Sequence, residues 1–298
     1  MSPPVTFSQW LGGALGRALL PPRCLVCEAP GAGDRDLCAD CLLALPWNGP
    51  ACPRCGLPLA AAGPCDGSPP LPGMTASARG PLPSTLGRQA GAACGRCLRR
   101  PPPLDATVAA LAYRFPIDRL LPRFKFHGDL AAGRLLAGLM AEAWADRFTA
   151  GPAVAGTHAA AFAHGRRAVP AARVEVLVPV PLHPARLRQR GYDQALELAR
   201  PLSRALRLPL CADGLRRVRA TQAQTTLDAA DRRRNVRGAF LARAGPWPAS
   251  VALLDDVMTT GATLAECARA LRQAGVAHVE AWVLARAPPP GRGDQPSA

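Results

Sequence analysis

Two groupings of residues in this chain have the types and spacing to do chemistry. In the first, Asp255 and Asp256 stand side by side after the apolar run Val251 to Leu254, and Val257, Met258, Thr259, Thr260, Gly261, Ala262 and Thr263 follow at once. Adjacent carboxylates at a strand end are oxygen acceptors suited to the vicinal hydroxyls of a sugar. A small hydroxyl-rich turn that opens a helix offers backbone N–H groups, hydroxyls and the positive end of a helix dipole to one phosphate. The spacing therefore fits a ribose 5-phosphate. Neither a Walker A lysine motif nor G-x-G-x-x-G is present, which excludes the usual ATP-cleaving and dinucleotide-binding loops.

The second grouping is made of thiols. Cys24/Cys27, Cys38/Cys41, Cys52/Cys55 and Cys94/Cys97 form four C-x-x-C pairs, with Cys65, Cys211 and Cys267 left over. Paired knuckles separated by a short loop match tetrahedral Zn2+, with every ligand supplied by the protein and no position open to water. The first two knuckles define one site by spacing. For the second site the spacing is interrupted: Cys65 competes with Cys94/Cys97 as a partner for Cys52/Cys55, and cross-pairing of the knuckles between the two sites stays open. Cys211 and Cys267 read as small core residues.

Elements that must position these groups follow from periodicity. Thr107 to Tyr113, Val174 to Val180, Val251 to Leu254 and Val279 to Ala285 read as strands, and Leu130 to Phe148, Gly191 to Leu206 and Thr263 to Ala274 as helices. Alternation of this kind predicts an α/β domain, a parallel sheet with helices on both faces, over residues 104–298. In such sheets ligands bind beyond the carboxyl ends of the strands, where Asp255 and Asp256 fall. Residues 1–103 read as a small Cys-, Pro- and Gly-rich module. It contains an amphipathic helix over Phe7 to Leu20 and a flexible insertion over 64–93, and it ends at Pro101 to Pro103. Residues 149–172 read as a linker.

Charge narrows the ligand class. The chain of 298 residues carries a net charge of +15 and is 49% hydrophobic, which fits a globular protein that attracts polyanions. The stretch 183–243 holds fourteen Arg against five acidic residues. Lys125 is the single lysine among 36 basic residues, so it marks a place where a compact ammonium serves better than a planar fork. Few aromatics interleave the arginines, and phosphate contact rather than base stacking is the expected mode of any nucleic-acid binding. No stretch approaches the ~20 apolar residues of a membrane span, and no cleavable leader is evident, so a cytoplasmic location is expected.

The run VALLDDVMTTGAT resembles the phosphoribosyl pyrophosphate (PRPP) motif of type I phosphoribosyltransferases, and the whole chain resembles the ComF/GntX family, in which a double zinc ribbon precedes that fold. CPRCGLP, CGRCLRRPPP, FKFHGD at 124–129, PVPLHPARLRQRGYDQA at 179–195 and the segment 217–240 carry the likeness. The resemblance implies that Asp255 and Asp256 hold the ribose hydroxyls and that Val257 to Thr263 wrap the 5-phosphate. Arg186 and Arg190 are implied to contact pyrophosphate, with Lys125 touching phosphate and Mg2+ accompanying PRPP. Asp255, Asp256, Arg190 and Lys125 are then the catalytic set. Residues 219–237 resemble the family's flap, with Arg219, Thr221, Gln224, Arg232 and Asn235 reaching the ligand. Asp193 and Asp228 depart from the family's usual Asn and Ser.

Activity is implied as transfer of ribose 5-phosphate to an unidentified acceptor, linked to DNA uptake. The competing expectation is an inactive PRPP-sensing adaptor that binds single-stranded DNA or a helicase partner. A third reading leaves the ribbons purely structural.

Overall fold

The computed structural model describes residues 21–59, 93–149, 174–219 and 234–288, with side chains through 144 in the second stretch. The expected helix over Phe7 to Leu20, nearly all of the 64–93 insertion, the 149–172 linker beyond Thr149 and the centre of the expected flap lie outside the described residues. The described elements, in chain order, are α1 (Ala39–Leu43), α2 (Gly95–Arg99), β1 (Ala106–Ala112), α3 (Ile117–Phe126), α4 (Leu130–Thr149), β2 (Val176–Pro179) and α5 (Pro184–Arg190). They continue with α6 (Gln194–Leu206), β3 (Leu215–Arg217), β4 (Phe240–Ala242), β5 (Ser250–Met258), α7 (Ala262–Gln273) and β6 (His278–Arg286).

Strands β1, β6, β5 and β2 form one parallel sheet in that order, and β3 and β4 pair separately as an antiparallel ladder. Val251 to Leu254 and Val279 to Ala285, apolar apart from Glu280, are fully buried because both faces of the sheet are covered, the pattern that distinguishes a central parallel strand from a half-solvated one. On one face Leu254, Trp282 and Leu284 pack with Phe124 of α3, Leu136 and Trp144 of α4 and Leu198 of α6. On the other, Val251, Leu253 and Val283 pack with Leu264 and Leu271 of α7 and with Phe240. Truncating any of these large residues to Ala would cost about 2–5 kcal/mol, the lost transfer energy plus a cavity.

The Cys-rich segments pack against this sheet. Cys24, Cys38 and Cys41 are buried with the α3–α4 face, whereas Cys52, Cys55 and Cys97 are buried with the α7 face. The chain between the two groups runs along the free edge of β1: Ala112 N donates to the Pro46 carbonyl, Asn48 N to that of Ala110 and Thr107 N to that of Pro53, at 2.8–2.9 Å. At the opposite edge Leu177 N donates to Pro209 O and Cys211 N to Leu177 O, both at 2.9 Å. Both sheet edges are thereby covered by backbone, which removes their templates for pairing with another chain.

The structure corrects several expected bounds. The helix expected over Gly191 to Leu206 starts only at Gln194, as α6, because Gly191 takes a left-handed conformation (φ 84°) that closes a separate helix, α5, which no expected element covered. Strand β5 extends past Leu254 through both carboxylates to Met258, paired with β6 along its length. Helix α3, which carries Lys125, has no counterpart among the expected elements. Cys211, expected as a core residue, follows the bridge residue Leu210 beside β2 and is only partly buried.

Candidate functional site

Strand β5 is central, and the connections leaving it and its neighbour β2 depart to opposite sides of the sheet. Such a divergence opens a crevice beyond the carboxyl ends of the two strands. A cleft of about 450 Å³ occupies that place. Its lining brings together Asp255, Asp256, Val257, Met258, Thr259, Thr260, Gly261, Ala262 and Thr263 with Lys125, Arg186, Arg190, Asp193 and Arg217.

Turning from strand to helix in so few residues requires Gly261. It takes the left-handed conformation (φ 78°) as the residue before α7, and a Cβ there would lie 2.4 Å from Met258 Cε. Thr260 Oγ1 accepts from Ala262 N at 3.4 Å. The loop therefore lies against the first turn of α7, where unpaired N–H groups and the helix dipole favour an anion.

The two carboxylates differ. Asp255 Oδ1 accepts from Asp256 N at 2.9 Å, and Asp256 Oδ1 accepts from Val257 N at 2.6 Å. Lys125 Nζ pairs with Asp256 Oδ2 at 2.9 Å. Desolvation, followed by the adjacent Asp256 carboxylate, holds the Asp255 carboxyl well above the usual carboxylate range, with Lys125 opposing the rise. One lysine thus serves two acids, a set that gains from a hydroxyl donor or a cation placed at Asp255.

Lys125 is brought to this place by a clasp at the end of α3. Arg123 pairs with Asp129 at 2.8 Å, and Asp129 Oδ1 accepts from Ala132 N at 3.0 Å in the first turn of α4. Burial pushes the Asp129 carboxyl up, but the Ala132 N–H and Arg123 outweigh it and lower its pKa. On α5, Arg186 and Arg190 are one helical turn apart and both line the cleft. Arg190 lies over the Phe126 ring at 5.2 Å and donates to Gln194 Oε1 at 2.5 Å.

Asp193, which departs from the family's usual Asn, does not present a free carboxylate to the cleft. It caps α6 by accepting from Leu196 N at 3.1 Å, and its other oxygen accepts from Leu182 N at 2.8 Å. Burial raises its pKa while these N–H groups work against the rise. The side chain ties the loop between β2 and α5 to the start of α6.

Arg219 stands elsewhere. It is absent from the cleft lining, and its guanidinium donates to the carbonyls of Asn235 and Arg237 at 3.0 and 2.6 Å, clasping together the two ends of the 220–233 segment. Thr221, Gln224, Asp228 and Arg232 lie outside the described residues. Sequence reasoning missed Arg217, a buried residue of β3 that lines the cleft and sits over Phe240 at 5.2 Å. Burial and then neighbouring Arg186 pull its pKa down. Its signal was a charge within an otherwise short strand, too common in an arginine-rich chain to stand out.

The thiols assemble into two four-cysteine clusters, Cys24/Cys27/Cys38/Cys41 and Cys52/Cys55/Cys94/Cys97, with all ligand atoms of each within 4.8 Å of one another. A tetrahedron with Zn–S bonds of about 2.3 Å has edges of about 3.8 Å. The Sγ separations of 3.6 Å for Cys27–Cys38, 3.8 Å for Cys27–Cys41 and 3.7 Å for Cys55–Cys94 match it. Burial pushes the Cys24 thiol up, but backbone N–H groups from Cys38, Cys27 and Val26 bring it down to about 6. Cys52, likewise pushed up by burial, is brought to about 7 by the N–H groups of Cys94, Arg54 and Cys55. Burial and then neighbouring thiols drive Cys41 and Cys97 well upward. Four such sulfurs cannot all ionise without a cation between them, and Zn2+ supplies that charge. Both clusters fit structural zinc. The knuckles pair in chain order, which settles the cross-pairing left open by spacing, and Cys94/Cys97 complete the second site.

Comparison with known proteins agrees with this architecture. The double zinc ribbon domain matches residues 15–67, a span that ends before Cys94 and Cys97. "Competence protein F" of Haemophilus influenzae is 36% identical over 197 residues, 65% of this chain and 78% of that protein. "DNA utilization protein YhgH" of Escherichia coli K12 is 30% identical over 268 residues, 90% of this chain and 98% of that one. The protein of that name from Salmonella typhi shows the same identity and coverage.

Proposed function

The chain belongs to the ComF family, and from that premise we propose that it binds PRPP in the cleft at the end of β5 and transfers ribose 5-phosphate to a nitrogen acceptor, in the context of DNA uptake or utilization that its relatives' names carry. One observation supports the reading above the rest: paired carboxylates and a left-handed glycine loop at the head of α7 share one cleft with Lys125, Arg186, Arg190 and Arg217. On this reading the α/β domain is a type I phosphoribosyltransferase fold.

In that role Asp255 and Asp256 accept hydrogen bonds from the ribose 2- and 3-hydroxyls, and Thr259 to Thr263 cradle the 5-phosphate. Arg186, Arg190 and Arg217 face the pyrophosphate. Lys125, held 2.9 Å from Asp256, sets the charge of the pair and stays close enough to stabilise the departing pyrophosphate. Cleavage of the C1–O bond gives an oxocarbenium-like centre that the acceptor nitrogen attacks while the pair of electrons leaves with pyrophosphate. The protein's contribution is positioning and preorganised charge rather than a nucleophile. The oxygen ligand that Mg2+ prefers would come from Asp255, since both Asp193 oxygens accept from backbone N–H groups and the Asp256 oxygens are engaged by Val257 N and Lys125. The chemistry Mg2+ supplies on bound pyrophosphate is neutralisation of the leaving group.

The test is pyrophosphate release from PRPP and Mg2+ across a panel of nitrogen acceptors, with Asp256→Asn and Lys125→Met as variants. Release that vanishes in Asp256→Asn supports transfer. PRPP binding with no release by any acceptor overturns transfer, and no PRPP binding at all overturns the site.

A second reading, a PRPP-sensing adaptor that holds single-stranded DNA or a helicase, is favoured by a different observation. A groove of about 1090 Å³ between the second ribbon and α7 is lined by Arg96, Arg100, Arg234, Arg237 and Arg269, with Glu266 the one acid among the described residues. Single-stranded DNA affinity that falls steeply with salt supports phosphate contacts there, and a flat response removes them.

A further inference from the structure

Arg286, the last residue of β6, is 2% exposed and joins two parts of the molecule. Its Nε donates to the carbonyl of Cys55, a ligand of the second cluster, at 2.8 Å. Its Nη1 donates to the carbonyls of Met258 at 2.7 Å and Thr259 at 2.6 Å, where the loop leaves β5, and to Ala287 O at 2.6 Å. Burial pulls its pKa down, and the neighbouring Cys55 opposes that.

The direction of these bonds matters. In a trans peptide the C=O and the following N–H point opposite ways. A guanidinium that draws the Met258 and Thr259 carbonyls inward therefore turns the Thr259 and Thr260 N–H groups outward, toward the cleft. It also caps two carbonyl dipoles that would otherwise present negative charge to an anion.

The other end of the strut is fixed by the knuckle. The third C-x-x-C turn is held to β1 by Thr107 Oγ1 donating to Arg54 O at 2.9 Å and Thr107 N to Pro53 O at 2.8 Å. Gly56 is pressed so close that a Cβ there would lie 3.0 Å from Thr107 Cγ2. The first cluster has a different attachment: Arg123 Nη1 donates to the Leu25 carbonyl, through a side chain that is 42% exposed on α3, whose Lys125 pairs with Asp256 rather than with the Thr259-to-Thr263 loop.

We propose that Arg286 is a positioning residue that transmits the order of the second zinc cluster to the anion-binding loop, so that loss of zinc from the second cluster, and not from the first, disorders the loop and weakens phosphate binding. The proposal rests on the reading of Thr259 to Thr263 as a phosphate cradle. It has one consequence independent of any ligand, because Ala287 N donates to Met258 O at 3.0 Å and its hydrogen exchange reports whether the loop's root is held.

The experiment compares the full chain with Arg286→Lys, Cys97→Ser and Cys27→Ser, measuring zinc content, exchange at the Ala287 amide and ribose 5-phosphate affinity by calorimetry. Arg286→Lys is expected to keep both zinc ions, bind ribose 5-phosphate at least tenfold more weakly and exchange Ala287 at least tenfold faster. Cys97→Ser should match it in exchange and affinity, and Cys27→Ser should resemble the parent. Unchanged Ala287 exchange in Cys97→Ser, or equal effects of the Cys27 and Cys97 variants, overturns the proposal. Where a variant does not fold, stepwise chelation of the parent chain, with the emptied cluster identified by thiol alkylation, decides the same question. If exchange behaves as expected but the parent binds no ribose 5-phosphate, the phosphate reading fails and the coupling stands.

Discussion

Replacing Asp255 by Asn should stabilise the ligand-free protein while removing the sugar-hydroxyl acceptor. At the end of β5 the Asp255 carboxylate follows four fully buried apolar residues. It receives one backbone N–H, from Asp256, and shares Lys125 with a second carboxylate that Lys125 already contacts at 2.9 Å. Desolvation and then that like charge raise the Asp255 pKa. A carboxyl whose folded pKa lies above its unfolded value stabilises the fold fully below the unfolded value, near the ordinary carboxylate range, and that stability is lost as pH rises through the folded value. At neutral pH, above the unfolded value, Asp255 is accordingly a net cost to the fold, and Asn keeps the acceptor for Asp256 N without a charge to bury.

Substitutions that relieve strain of this kind at functional sites gain about 0.5–2 kcal/mol, and 1 kcal/mol moves the midpoint of a domain this size by about 2–4 °C. Thermal unfolding of Asp255→Asn at neutral pH should thus give a Tm a few degrees above the parent. The gap should close as pH falls into the ordinary carboxylate range, and ribose 5-phosphate affinity should drop at least tenfold. A Tm equal to or below the parent at neutral pH, or a gap that does not change with pH, would refute the reasoning.

Other outcomes follow from the same geometry. Elemental analysis should find two zinc ions per chain, one in Cys97→Ser and two in Cys65→Ser, because the clusters close without Cys65; a single ion in Cys65→Ser contradicts the assigned pairing. Gly261→Ala should cost about 1–2 kcal/mol from its left-handed backbone alone and weaken phosphate binding, since its Cβ also meets Met258; calorimetry that finds parent-like affinity would show that the loop does not need this turn. Asp193→Asn should bind as the parent does while losing one of the two backbone contacts, because its single amide oxygen can accept from Leu196 N or Leu182 N but not both, whereas Asp193→Ala should lose both, about 1 kcal/mol or more for the cap alone. Chemical denaturation separates the two, and equal losses would return the Asp193 charge to the binding site.

How much was legible along the chain varied with the range of the interaction. The apolar runs of β5 and β6 declared buried strands because four or five consecutive residues suffice to mark a doubly covered strand, and the helices α4 and α7 were visible from their period within a residue or two. Helix α5 was overlooked because its seven residues bury no side chain and so leave no apolar period to read, and α6 was started three residues early because Gly191 closes α5 through its φ, which composition does not reveal. Helix α3 was overlooked although it carries Lys125, since Pro122 interrupts its pattern. Along the chain Asp193 stands out only as a departure from the family's usual Asn, and its oxygens meet two backbone N–H groups whose positions the tertiary fold sets.

What the sequence by itself determined was chemistry of short reach: two acids and a glycine turn in nine residues, and knuckles of two thiols separated by two positions. Ligand type is written locally, because the preferences of carboxylates, thiols and left-handed glycine act over one turn of chain. Only the tertiary structure decided which knuckles share a metal, that the sole lysine meets Asp256, and that Arg286 reaches Cys55 across 231 positions. Those pairings depend on strand order and on which face of the sheet each ribbon covers, and both are settled by burial summed over the whole chain rather than by any local run of residues.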